Sequence, residues 1–104
     1  MRRSLTSDQI KAAERYIDLL EEYGTRLRKP HSLKVKGYDN LFELRPKDVR
    51  LFYCFRAGGN AVIVLTAIKR EKKLRPEVYA KAAEIKNSIE ILGDISWNRL
   101  RPLN

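Results

Sequence analysis

The chain predicts an α+β fold, with a small antiparallel sheet of three to four strands flanked by an N-terminal and a C-terminal helix. Three observations predict it. Apolar residues recur at helical spacing over residues 7–23, the period shortens to two between Leu33 and Ile68, and a second helical stripe opens at Pro76.

Thr6-Ser7-Asp8-Gln9 has the form of a capping box, a hydroxyl followed three places later by Gln. Behind it Ile10, Ala13, Ile17 and Leu20 form the stripe, Tyr16 and Tyr23 flank it, and Gly24 is a natural stop. The alternation then begins. Leu33 and Val35 interleave with Lys34 and Lys36, and a turn at Gly37-Tyr38-Asp39-Asn40 leads into Leu41-Phe42-Glu43-Leu44-Arg45. Pro46-Lys47-Asp48 reads as a tight turn, and Gly58-Gly59-Asn60 as a hairpin between Val49–Arg56 and the apolar run 61–68. On the Val49–Arg56 strand, Val49, Leu51, Tyr53 and Phe55 share one face, and Arg50, Phe52, Cys54 and Arg56 the other. One face is expected to be core and the other open to solvent or ligand. Pro76 suits the first helical position because its missing N–H has no partner there anyway. Val78, Ala82, Ile85, Ile89 and Leu92 form the second stripe, Gly93 is expected to end it, and residues 93–104 to form a tail.

The length of 104 residues allows one domain, 1–104, with one core. Charged residues interrupt every apolar run well short of the ~18 a membrane helix needs, and no apolar segment follows Arg2 and Arg3, so a cytoplasmic domain is expected. The formal charge is +9, unevenly spread. Residues 1–24 hold four basic and five acidic side chains, whereas residues 25–92 hold 16 basic and seven acidic. Arg26, Arg28, Lys29, Lys34 and Lys36 form one cationic run, and Lys69, Arg70, Lys72, Lys73 and Arg75 another. Such clusters suit a polyanion, because neutralising phosphates releases counterions.

The residue inventory excludes several chemistries. One cysteine, Cys54, forms no internal disulfide and no multi-cysteine zinc site. One histidine, His31, excludes a paired-histidine ribonuclease, and no metal site or cofactor is expected. Gly58-Gly59 precedes no helix, so it is not a phosphate loop. What remains is a set of cations projected from strands. Arg45 ends one strand and Arg50 begins the next, and Lys69 and Arg70 sit where the last strand runs out. Strands paired in sequence order would gather these four cations and Glu43 in one region.

Tyr23-Gly24 with Leu27 and Pro30, then Leu41-Phe42-Glu43-Leu44-Arg45, Val49-Arg50-Leu51-Phe52-Tyr53, Ile68-Lys69-Arg70 and Pro76, together resemble the RelE/ParE toxin superfamily, and its phage-type HigB-like branch most nearly. The resemblance spans roughly residues 10–90 and rests on the order of the motifs. It implies the toxin of a type II toxin–antitoxin pair, acting without a cofactor as a ribosome-dependent mRNA endonuclease. Arg50 matches the strand arginine that contacts the scissile phosphate. Arg70 or Lys69 matches the basic residue that protonates the leaving 5′ oxygen, and Tyr79 matches a tyrosine near the C-terminus. Glu43 and Arg45 stand where RelE itself has lysine and arginine, which leaves Glu43, Lys34 or Lys36 as the base. Lys34, Lys36, Lys72, Lys73, Arg75, Arg28 and Lys29 are the expected RNA-binding residues.

The same resemblance carries two other readings: a ParE-like inhibitor of DNA gyrase, and a non-catalytic phage-derived module that binds RNA or protein. Expected partners are a cognate antitoxin, the ribosome and mRNA. The superfamily opens with a strand and a short helix before the helix placed here at 7–23, and only Met1–Leu5 precede it. The sheet is therefore expected to leave an edge to which an antitoxin or a second copy can add.

Overall fold

The computed structural model describes residues 5–56, 59–69 and 73–100, the last ten of these as helical backbone. Helix α1 (Ser7–Tyr23) and a 3-10 turn (Gly24–Arg26) precede strands β1 (Ser32–Lys34), β2 (Phe42–Leu44), β3 (Val49–Phe55) and β4 (Ala61–Ile68), and helix α2 (Pro76–Leu100) follows. The strands form one antiparallel sheet in the order β1-β2-β3-β4. This is the expected α+β arrangement, consistent with a RelE-like fold.

Local chemistry sets the elements. The Thr6 hydroxyl accepts from the Gln9 N–H at 3.1 Å, and Gln9 Oε1 accepts from the Thr6 N–H at 2.9 Å, so the capping box closes. The Val49 N–H donates to the Pro46 carbonyl at 3.0 Å, closing the β2–β3 turn. Leu33, Glu43, Phe52 and Leu65 lie opposite one another across the four strands, so they share a face. Ser32, Leu44, Leu51 and Thr66 occupy the other.

The sequence reading is corrected at three points. Both faces of β3 are covered, so neither is open along its length. Ala13 and Leu20 of α1 pack with Leu44, Val49, Leu51 and Tyr53, whereas Ala82 and Ala83 of α2 pack with Phe52, Leu41 and Val35. Small alanines let α2 approach Phe52 closely. Nor does α2 stop at Gly93; it continues to Leu100. A helical glycine costs about 1 kcal/mol relative to alanine, too little to end a helix whose next proline is Pro102. The first stripe is also modified, because Ile10 is exposed and Ala12 is buried with Ala13 and Leu20.

A polar cross-link joins α2 to the β1–β2 turn. Asn40 Nδ2 donates to the Phe55 carbonyl at 2.8 Å and to Glu90 Oε2 at 3.0 Å, and Asn40 Oδ1 accepts from the Phe55 N–H at 3.0 Å. Lys86, buried on α2, donates to the Asp39 carbonyl at 2.8 Å and lies 3.5 Å from Glu90. Asn40 adopts φ 50°, a left-handed conformation that asparagine tolerates better than most residues. Asn40→Ala is expected to lower unfolding free energy by about 2 kcal/mol in urea denaturation, since it orphans both Phe55 backbone groups. Asn40→Gly relieves the backbone conformation but not those losses, so it should recover less than half of the deficit.

Candidate active site

Glu43 stands on the α2 face of β2 and lines a cavity between the β1 segment and the approach to α2. Its alternation with Phe42 and Leu44 points it to the α2 face, and its pairing opposite Phe52 places it deep in the sheet. It is only 2% exposed. A carboxylate so buried requires a partner, and Arg45, two residues along the same face, donates its Nε–H to Glu43 Oε1. Arg45 is the one hydrogen-bond partner of the Glu43 carboxylate among the described residues. A carboxylate offers about four acceptor sites, more than the single Arg45 bond uses.

Arg50 lies across the β2–β3 turn and is 8% exposed. Its Nη1 donates to the carbonyls of Lys47 and Val49, both at 2.9 Å, so the guanidinium also braces the turn. Burial first, and then repulsion from Arg45, lower the Arg50 pKa; Glu43, Tyr79 and Asp48 oppose that shift. Arginine stays charged at neutral pH nonetheless. Tyr79, on the first turns of α2, sets its ring edge-on to Phe52 with centroids 5.5 Å apart. Burial foremost, and Glu43 next, push its phenol pKa up against the opposing pull of Arg45 and Arg50. Glu43, Arg45, Arg50 and Tyr79 are thus within electrostatic reach of one another, a cluster of four.

The cluster opens into a cavity of about 420 Å³ whose lining includes Glu43, Arg45 and Tyr79 together with Lys34 and Lys36. Its remaining walls are mostly apolar, from β1, the β1–β2 turn and the approach to α2. Lys34 folds over the turn, donating from Nζ to the Tyr38 carbonyl at 2.5 Å. Lys69 is half-buried at the end of β4, and its N–H donates to the Asp48 carbonyl at 2.6 Å, which puts it at the Arg45–Arg50 end of the sheet.

Other expected residues fall elsewhere. Arg28 donates to the Thr25 carbonyl at 2.6 Å and acts electrostatically on Tyr53, whose side chain belongs to the α1 face, so it is not brought to the cavity. Lys29 is exposed in the same connection, and Lys73 and Arg75 are exposed before α2. Arg70 and Lys72 lie outside the described residues. His31 sets its ring edge-on to Tyr16 at 5.2 Å, away from the cluster. Cys54 is fully buried, and burial raises its thiol pKa, as befits a packed thiol and not a nucleophile. Among the described residues no group of His, Cys, Asp and Glu is arranged to hold a metal, and no helix is long and apolar enough to cross a membrane.

Sequence reasoning missed Tyr38 as a cavity wall and missed the Asn40–Lys86–Glu90 cross-link. A signal for the second was present, because Lys86 lies four residues after Ala82 on the buried stripe and four before Glu90.

A family model described as phage derived protein Gp49-like matches residues 3–87, most of the chain. The chain belongs to this family. Gp49-like proteins are associated with RelE- and HigB-like toxins, so membership agrees with the motif order and the fold. No curated protein matches the chain.

The shifted phenols of the Gp49-like chain give it a pH signature. Tyr53, buried beside the Ser32 hydroxyl, and Tyr79 both titrate above the ordinary value of 10.0. In that alkaline window the folded chain binds more protons than the unfolded chain, so the phenols' contribution is complete below pH 10 and is lost above it. Thermal unfolding is expected to show a melting temperature that declines from about pH 10 upward, more gently in Tyr79→Phe. An identical slope in the variant would remove the buried phenol as a cause.

Proposed function

We propose that this Gp49-like protein is the toxin of a type II toxin–antitoxin pair, of the HigB-like branch, and that it cleaves mRNA on the ribosome. One observation carries the reading: a buried carboxylate, an arginine and a protonated tyrosine line one cavity with two lysines, and a second arginine, Arg50, lies within electrostatic reach of all three.

Attack by a ribose 2′-oxygen on the adjacent phosphate needs a proton acceptor, stabilisation of a doubly charged phosphorane, and a proton for the departing oxygen. Glu43 Oε2 accepts the 2′-hydroxyl proton as the new O–P bond forms. Arg45 and Arg50 stabilise the added charge with preorganised donors. Tyr79, which keeps its proton at neutral pH, donates to the 5′ oxygen as the P–O5′ bond breaks, and Lys69 stands at the same end of the sheet as a second donor. The products are a 2′,3′-cyclic phosphate and a 5′-hydroxyl, and no histidine is required. With so little to align a free strand, the ribosome supplies the in-line geometry.

An antitoxin for this surface carries an acidic segment that lies over the cavity rim, where Lys36 and Arg45 are exposed.

The reading is tested by translation in a purified system and by growth on induced expression. Arg45→Ala is expected to slow mRNA cleavage by about 10²–10³-fold, and Glu43→Gln by about 10²–10⁴-fold, with growth restored in both. Arg50→Ala should lose activity and loosen the β2–β3 turn together. Undiminished toxicity in the Arg45 and Glu43 variants would overturn the proposal, and DNA damage with intact mRNA would transfer the protein to the gyrase-inhibitor class.

A further inference from the structure

The nuclease reading uses only the mouth of the cavity. A phosphate and two ribose oxygens need Glu43, Arg45 and Tyr79; they do not need about 420 Å³ of space with mostly apolar walls. The interior is walled by Leu33 and Val35 of the β1 segment, Leu74 and Pro76 before α2, and the ring of Tyr38. Lys34, Lys36 and Arg45 share the lining but reach solvent. Lys36 and Arg45 are exposed, whereas Val35 is buried and Leu33, Tyr38 and Leu74 are half-buried. The fitting ligand therefore has a flat body content among apolar and aromatic surfaces and a phosphate at one end.

We propose that this cavity seats one nucleobase of the RNA, stacked on Tyr38, next to the phosphate held by Arg45. The inference rests on the nuclease reading for the position of that phosphate, but the base seat itself is a binding site and is testable without cleavage.

The turn that carries Tyr38 is built as a fixed platform. The Val35 N–H donates to the Leu41 carbonyl at 2.8 Å, and the Tyr38 N–H donates to the Val35 carbonyl at 3.3 Å. Lys34 Nζ binds the Tyr38 carbonyl from one side, and buried Lys86 binds the next carbonyl, that of Asp39, from α2. Asn40 then ties the turn to Phe55 and Glu90. An aromatic ring on a turn restrained at four successive residues loses little freedom when a base stacks on it, and such preorganisation favours affinity. Stacking reads the π-face that every base has, so the seat accepts all four bases with modest preferences. This separates it from a hydrogen-bonding pocket and implies that sequence choice comes from elsewhere, such as the ribosomal context.

The test uses the full-length chain and trinucleotides with 2′-O-methyl riboses, which cannot be cleaved. Affinity is measured by NMR titration for the intact oligomer and for three versions with an abasic sugar at one position each. One abasic position is expected to weaken binding about tenfold, with the other two nearly neutral. Tyr38→Leu should abolish that positional difference while leaving binding of the matching abasic oligomer unchanged, and Tyr38→Phe should retain it. Equal affinities for all four oligomers on the wild-type chain would overturn the base seat, and this comparison needs no variant to fold. The two readings fail separately. Intact mRNA with a preserved abasic pattern contradicts the nuclease alone, and cleavage with no abasic pattern contradicts the seat alone.

Discussion

The ion pair between Glu43 and Arg45 is the constraint on which the rest of the site depends. A carboxylate at 2% exposure, opposite Phe52 in the middle of a sheet, is tolerated only because a guanidinium on the same strand reaches back to it. An uncharged residue of similar shape would give the sheet as much stability or more. Retaining charge there therefore points to use. The arrangement also holds Arg45 at the cavity mouth, with one donor satisfied by Glu43 and the rest of its fork unused by it. Arg50 and Tyr79 then join a cluster whose polar order is set by burial and not by solvent.

The fold positions this cluster through asymmetry between its two helices. Helix α1 covers Leu51 and Tyr53 on one side, and the alanines of α2 close over Phe52 on the other. The first turns of α2 bring Tyr79 alongside the sheet, where it lines the same cavity as Glu43. Lys86 and Asn40 fix the distance between α2 and the β1–β2 turn.

Much of the fold was legible in residue order. Period two between Leu33 and Ile68, with turns at Pro46-Lys47-Asp48 and before Asn60, specifies hairpins in succession, and hairpins in succession gather Glu43, Arg45, Arg50 and Lys69 at one end. The burial of both faces of β3 was not legible, because Arg50 and Arg56 on one face read as solvent-facing. Arg50 is buried since its Nη1 satisfies two turn carbonyls, a contact that exists only once the turn has closed. Gly93 read as a stop because a glycine near an apolar run resembles a cap, yet a cap requires the left-handed conformation and not merely the residue. Tyr38 was hidden for a different reason: turn residues are read for backbone shape, and nothing local reveals which wall a turn's side chain will build.

The central claim is that the 2′-oxygen of the RNA is itself the nucleophile, with Glu43 receiving its proton. The most direct measurement is end-group analysis of mRNA recovered from ribosomes incubated with the purified protein. The account predicts fragments bearing 2′,3′-cyclic phosphate on one side of the break and 5′-hydroxyl on the other. Fragments with 5′-phosphate ends, or mRNA recovered intact at full toxicity, would contradict it.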